Sequence, residues 1–301
     1  MRDLLPAIAA AAHFLVTRQE AGGSWRDYPG MPIGASDGWV TAFVGRTLAH
    51  ERVARLAPAG RDAARRGERF LRTRRAYPAG LGYNDVSGPD ADSTAHGLAL
   101  QQQLGLAPAQ ADVDWLLARW RPNGGCATYD RLDAWGVAHP CVTPVAWLAL
   151  PPGPQAALAP AVRAFTLACR RPDGTWPAYW WRGRHYSTFW NCRALRQLDP
   201  TQRLDFAPGF TDDVASAFDL ACALGATALA GRSDTALADR LLALQSPDGS
   251  WPGAPSLRVT HPACFRPWEQ AHGDCYTDEH RLVTTAAALD VLTLLVAQPE
   301  D

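Results

Sequence analysis

The stretch DADSTAHGLALQQQL, residues 90–104, opens on acids, passes through a Ser-Thr pair and runs out into an Ala- and Leu-rich tail. Five other stretches repeat that order: SDGWVTAFVGRTL (36–48), HPCVTPVAWLAL (139–150), RHYSTFWNCRALRQL (184–198), TDDVASAFDLACAL (211–224) and HRLVTTAAALDVLTLL (280–295). Aligned on a hydroxyl, they place Thr41, Thr94, Thr143, Thr188, Ser216 and Thr284 in register, at intervals of 53, 49, 45, 28 and 68 residues. A self-match at such a period is the mark of a repeat architecture. The short fourth interval implies a stunted unit, and the long fifth implies an insertion.

After their first turn these segments are apolar nearly all round, which is the pattern of a buried helix. More polar, Arg-rich amphipathic stretches lie between them, at 3–17, 52–74, 109–120, 156–170 and 235–246. The stretch 199–206, ahead of the fifth segment, is too short for more than two turns. Buried helices alternating with half-wet ones describe two concentric rings. An open solenoid is the alternative, but the inner segments are too apolar to line an exposed face. The expected architecture is therefore all-α: one (α/α)6 barrel, a toroid of six helical hairpins, forming a single domain over residues 1–301.

A second repeated element leads into the inner segments: QEAGGSW ending at Trp25, RRPDGTW at Trp176 and QSPDGSW at Trp251, with YPAGLGY (77–83) and RPNGGCATY (121–129) as degenerate copies. Pro-Asp-Gly and Asn-Gly make tight turns, since Gly accepts positive φ and Asp or Asn bonds its own backbone. The Trp can fold back over helix ends, and Gln or Arg can cap carbonyls. These read as structural staples.

The totals exclude several functions. Net charge is −1 and all 29 basic residues are Arg. There is no basic stripe for nucleic acid, and without Lys there is no Schiff-base or P-loop lysine. The Arg- and Ala-rich, Lys-free composition suits a GC-rich bacterial gene. Seven scattered Cys without a CxxC suit reduced thiols in a cytoplasmic chain. The apolar run near the N-terminus is too short to span a membrane and is interrupted by Asp3 and His13. No integral membrane segment is expected.

Gln19-Gly23-Trp25 and Gln245-Gly249-Trp251 match the Q-x-x-x-G-x-W motif, with Arg170 in place of Gln before Trp176. With the helical repeats, this resembles the terpene cyclase and protein prenyltransferase superfamily of α/α barrels over nearly the whole chain. The segment Asp90-Ala91-Asp92-Ser93-Thr94-Ala95 is similar to the D-x-D-D-T-A motif of class II cyclases such as squalene–hopene cyclases, with Ser93 for the last Asp. The resemblance implies that Asp92 is the Brønsted acid that protonates an alkene or epoxide, with Asp90, Ser93 and Thr94 completing the catalytic group. It implies a small hydrophobic, isoprenoid substrate and no cofactor. Class II cyclases usually place the site between two such domains, so a homo-oligomer or partner domain is a further expectation.

The chemistry is intelligible on its own. An alkene-protonating carboxylic acid must hold its proton at rest, which needs a dry pocket, a neighbouring acid and hydrogen bonds to the other oxygen. Asp90 supplies the neighbour, and Ser93 and Thr94 supply hydroxyls. A purely structural role, Asp90 or Asp92 capping its helix, is the alternative. All inner helices start at one end, so their first turns should converge on one pocket. The expected lining is Asp37, Trp39, His139, His185, Tyr186, Trp190, Asp212, Asp213, Tyr276, Glu279 and His280. Aromatic faces stabilise cations, and Trp135, Tyr179, Trp180, Trp181, Phe189, Phe265 and Trp268 gather nearby in sequence.

Two other functions stay open at this stage. A glycan-active barrel would need a carboxylate pair drawn from Asp37, Asp92, Asp213 and Glu279. A non-catalytic binding barrel would fit a decayed motif. Asp274, Cys275, Asp278 and His280, with His261, Cys264 and His272 nearby, have ligand chemistry for zinc. The D-x-C spacing of the prenyltransferase zinc site is absent, and so is the DDxxD of ionising terpene synthases, since Asp212-Asp213 continues as Val-Ala-Ser. No metal site is expected.

Overall fold

A computed structural model describes residues 4–73, 75–270 and 272–296. Residues 3 and 74, the outer limits of two expected helical stretches, lie outside them, as do 297–301 of the expected domain. Six inner helices form a closed ring: α2 (Gly38–Ala49), α5 (Ala91–Gln103), α7 (Thr143–Leu148), α9 (His185–Leu198), α10 (Ala217–Leu229) and α12 (Leu282–Leu295). Each packs on the next, and α12 returns to α2. The apolar patterning is the cause: α2 is buried from Trp39 to Ala49 and α12 from Leu282 to Thr293, leaving no wet face.

Outside them stand α1 (Leu5–Thr17), α4 (Pro58–Thr73), α6 (Gln110–Leu117), α8 (Pro152–Ala168) and α11 (Thr235–Ala243), with the short α3 (Glu51–Leu56) leading into α4. Helix α4 buries Gly60, Ala63, Ala64, Gly67, Phe70 and Leu71, at the three- and four-residue spacing of one helical face. Between α9 and α10 the chain has no outer helix, in accord with the stunted unit, and residues 199–216 run as irregular loop.

The Trp loops tie the rings together. Trp25, Trp176 and Trp251 are fully buried. Each indole donates to the carbonyl ten residues back, Leu15 (2.7 Å), Thr166 (2.6 Å) and Leu241 (2.7 Å), in the last turns of α1, α8 and α11. Each Trp backbone N–H donates to an inner-helix hydroxyl: Thr41 (2.9 Å), Thr188 (3.2 Å) and Thr285 (3.1 Å). This corrects the register of two units. Thr285, not Thr284, is the sixth hydroxyl, while Ser216 caps α10 through Asp219 N–H (3.1 Å) and Leu220 takes the helical position. Gly23, Gly174 and Gly249 all have φ between +83° and +94°, where only Gly is comfortable.

Arg170 explains its own departure from the motif. Gln19 and Gln245 bridge to carbonyls of the neighbouring outer helix, Ala63 (2.8 Å) and Ala7 (3.0 Å). Beside Trp176 there is no such helix, and the longer Arg170 reaches the loop instead, at Arg203 O (3.4 Å) and Asp205 O (2.7 Å). Arg170→Gln is expected to cost about 1 kcal/mol, read as a lower urea midpoint at unchanged slope.

The insertion before α12 is a departure from an all-helical chain: an antiparallel hairpin of β1 (Pro255–Val259) and β2 (Asp274–Thr277). Leu257 bridges to Trp181, and Arg258 N–H donates to Trp180 O at 2.8 Å, so the hairpin is fastened to the 177–184 segment. Deeper in the barrel Asp290 of α12 accepts from Arg46 of α2 (2.9 Å) and Arg193 of α9 (2.8 Å). Both guanidiniums lie over the Trp190 ring. No described helix is long and apolar enough to cross a membrane.

Candidate active site

A cavity of about 490 Å³ opens at the starts of α2 and α5, beneath the hairpin. Asp90 is the N-cap of α5: Oδ1 accepts from Ser93 N–H (2.7 Å) and Oδ2 from Ser93 Oγ (2.6 Å). Thr94 Oγ1 donates to Asp90 O (2.7 Å) and accepts from Leu81 N–H (2.9 Å), which fixes the entry to the helix. Asp92, in the first turn, lines the cavity with a side chain 15% exposed. Its Oδ2 accepts from the Trp39 indole at 2.6 Å, and its Oδ1 is buried without a protein partner.

Burial lifts the Asp92 pKa to about 7, and the Asp90 charge adds to it; the Trp39 hydrogen bond and the Arg46 charge act the other way. Asp90 rises to about 6 through burial, restrained by the bonds from Ser93. His96 lies one turn on, with Nε2 3.9 Å from Asp92 Oδ2. Its ring is enclosed by Trp39, Phe43 and Trp190 at 5.1–5.9 Å. Burial, and then Arg46, hold its pKa well below the usual imidazole range, so it is neutral.

The walls are aromatic. Tyr129, Trp135 and Trp180 cluster on one side at centroid separations of 5.4–6.2 Å, and Trp39 and Trp181 meet on another at 5.8 Å. Two of the indoles are fixed by their N–H groups: Trp180 Nε1 donates to Thr128 (2.7 Å), itself on the cavity wall, and Trp135 Nε1 to Thr260 O (3.2 Å). Met31, Ile33, Leu257 and Val259 complete the apolar surface. Arg131 and Asp130, which also line the space, pair with Asp133 (2.7 Å) and Arg119 (3.4 Å).

Convergence of all six helix starts does not hold. Of the expected lining only Trp39 reaches the cavity, beside Asp90, Asp92 and Ser93. Trp181 covers the start of α9 and stacks on Tyr186 at 4.1 Å, so Tyr186 and Trp190 lie behind the wall. His139 stacks on Tyr179 at 4.0 Å, and burial takes its pKa to about 3. His185 is buried away from the cavity, between Phe210 O (3.1 Å), Asp213 (3.4 Å) and Asp219 (3.5 Å). Asp212 is on an exposed turn, and Asp213 pairs with Arg184 (3.1 Å). Asp37 pairs with Arg26 (3.2 Å) and borders a separate, much smaller pocket. Tyr276 lies on β2, Glu279 is exposed, and His280 Nδ1 sits 2.9 Å from Arg26 O. Of the candidate zinc ligands, Asp278 is taken up by backbone, accepting from Ala254 N–H (2.6 Å) and Thr284 N–H (2.7 Å), while His261, Cys264 and His272 border a separate surface pocket.

Tyr83, Tyr129 and Thr128 were missed, and a signal for them existed. In the degenerate loops Leu81 and Cys126 take the staple position, donating N–H to Thr94 and Thr143 (both 2.9 Å). The Tyr two or three residues later is thereby freed to face the cavity, as are Trp180 and Trp181 after Trp176.

No protein-family profile and no curated relative matches the chain. Solved structures do match. Type II terpene cyclase MstE from Scytonema is 24% identical with a TM-score of 0.81, each chain being covered over 97%. An Asp-to-Asn variant of that protein has been solved with its substrate, geranylgeranyl dihydroxybenzoate. A protein from Actinoplanes is 26% identical, with a TM-score of 0.77 and coverage of 96% of this chain and 98% of its own. ent-Copalyl diphosphate synthase from Streptomyces platensis is 18% identical, with a TM-score of 0.52, over 85% of this chain and 50% of its own. This chain therefore has the fold of the type II terpene cyclases.

Proposed function

We propose that the chain is an acid-initiated cyclase or isomerase of the type II terpene cyclase kind, acting on an isoprenoid alkene or epoxide. The observation that carries this reading is Asp92: a carboxyl with a pKa lifted to about 7, facing an aromatic cavity, with one oxygen held by Trp39. Such a group keeps its proton near neutrality. In the proposed step the O–H bond of Asp92 breaks and a C–H bond forms at an alkene carbon, or an O–H bond at an epoxide oxygen. A carbocation is left in the substrate and a carboxylate on Asp92. The Trp39 N–H becomes a charge-assisted donor to that carboxylate, so it stabilises the products of proton transfer more than the reactants. The Trp and Tyr faces stabilise the cation as internal double bonds capture it. Loss of a proton from carbon, or addition of water with loss of its proton, ends the sequence; the proton goes to solvent, and the Asp92 carboxylate takes one back from solvent before the next turnover.

Three observations support this over the alternatives. MstE matches along 97% of its own length, so a chain of this size is in keeping with a type II cyclase, and the cavity here is lined by residues of one chain. A glycosidase needs carboxylates on both sides of the scissile bond, whereas Asp90 and Asp92 share one helix turn, Asp130 at the rim is exposed and paired with Arg119 (3.4 Å), and Asp37, Asp213 and Glu279 lie outside the cavity. Ser93 has a defined role as a partner of both Asp90 oxygens, which argues against decay of the motif.

The test is a pH–rate profile, with cyclic products from prenyl alkenes and epoxides followed by gas chromatography. The acid form is the active one, so the rate should be level below about pH 6 and fall about tenfold per unit above about pH 7. Trp39→Phe removes an interaction that lowers the pKa, so the falling limb should move to higher pH. A rate that rises through pH 7 would exclude Asp92 as the acid.

A further inference from the structure

Strand β1 has two faces. Leu257 and Val259 line the cavity that holds Asp92. Arg258, between them, points the opposite way, into a second cleft of about 640 Å³ behind the hairpin. Arg171, Arg182 and Arg184 border the same cleft from the 171–184 segment. Arg184 is paired, with Asp173 (2.9 Å) and Asp213 (3.1 Å), although its Nε is buried without a partner. Among the described residues, Arg171, Arg182 and Arg258 make no ion pair with a carboxylate, and Asp274, the other acid at the cleft, is exposed.

Arg258 is the most informative of the four. It is only 4% exposed. Its Nε donates to Tyr179 O (3.0 Å) and Nη2 to Ala178 O, so both partners are uncharged. Nε and Nη2 are thus held by backbone, while Nη1 makes no hydrogen bond among the described residues, and the side chain lines the cleft. A guanidinium buried without a counter-charge is costly, and the same burial lowers its pKa. Planar guanidinium forks are well matched to phosphate oxygens. We infer that this cleft is an oxyanion site, separate from the Asp92 cavity, and that it takes a phosphate or diphosphate group between Arg258 and the arginines of the 171–184 segment. An anion held there ties β1 to that segment and steadies one wall of the catalytic cavity from behind.

Thermal unfolding of the full chain tests this without any turnover. Inorganic pyrophosphate at 1 mM, and geranyl diphosphate as the organic source of the same group, are compared with sodium chloride at matched ionic strength. A rise in Tm of about 5 °C over chloride is expected for a ligand well above its Kd. The ligand with the larger rise identifies the source. Arg171→Ala with Arg182→Ala, two side chains that make no ion pair among the described residues, should weaken the response at least tenfold in midpoint concentration. No rise over chloride with either ligand, or a rise that survives the double substitution, overturns the site.

Discussion

Asp92→Asn is expected to lower kcat by about 1,000-fold, the middle of the range for a positioned acid, while the barrel stays folded. The amide keeps the shape and an acceptor for Trp39 Nε1 but has no acidic proton to transfer. The variant carries its own folding control. In the folded chain the Asp92 pKa is raised from 3.8 to about 7, so folding favours the protonated form. That contribution is intact below about pH 4 and is lost as pH rises through 7. Asparagine never ionises. The variant should therefore unfold at a higher temperature than the parent at pH 8, and at about the same temperature at pH 4. Full activity in this variant would remove Asp92 from the mechanism. Lost activity together with a lower Tm at pH 8 would point to a structural role.

The second large effect lies deeper. Asp290 is 6% exposed and is the carboxylate between Arg46 and Arg193. Burial alone would raise its pKa, but the two guanidiniums outweigh it and hold the group well below the usual carboxylate range. Asp290→Asn leaves two positive charges facing each other in the barrel, a change worth about 3–5 kcal/mol for a broken buried pair. For a domain of this size, that lowers Tm by about 10 °C. Replacing Arg46 by Met and Asp290 by Leu together should recover part of the loss, because Arg193 still reaches solvent. A single variant as stable as the parent would show that the network contributes nothing net.

Residues that act locally were the legible ones. Thr41, Thr94 and Thr188 could be aligned because each meets its Trp or Leu partner within one repeat. Asp92 and Trp39 stood out because they open adjacent inner helices, 53 residues apart in equivalent turns. The Asp290 network was not legible. Its partners lie 244 and 97 residues away on helices that otherwise read as apolar, and one polar residue in such a helix does not name its partner. The cavity lining was misjudged for a related reason. The starts of α2 and α5 reach the cavity, but Trp181 lies over the start of α9, and Leu257 and Val259 of the inserted hairpin take wall positions expected of the ring. Insertion length was readable from the repeat intervals; the direction in which the insertion would fold was not.

The hairpin also separates two tasks along the chain. In the proposed mechanism proton donation rests on α5 and α2, inside the closed ring of packed helices. Leu257 and Val259 belong to a ribbon pinned at its edge by Trp180 and Trp181. Under that proposal, natural drift in the ribbon would remodel the mould around a reacting chain, and with it the product's ring system, while the residues that start the reaction stay as they are.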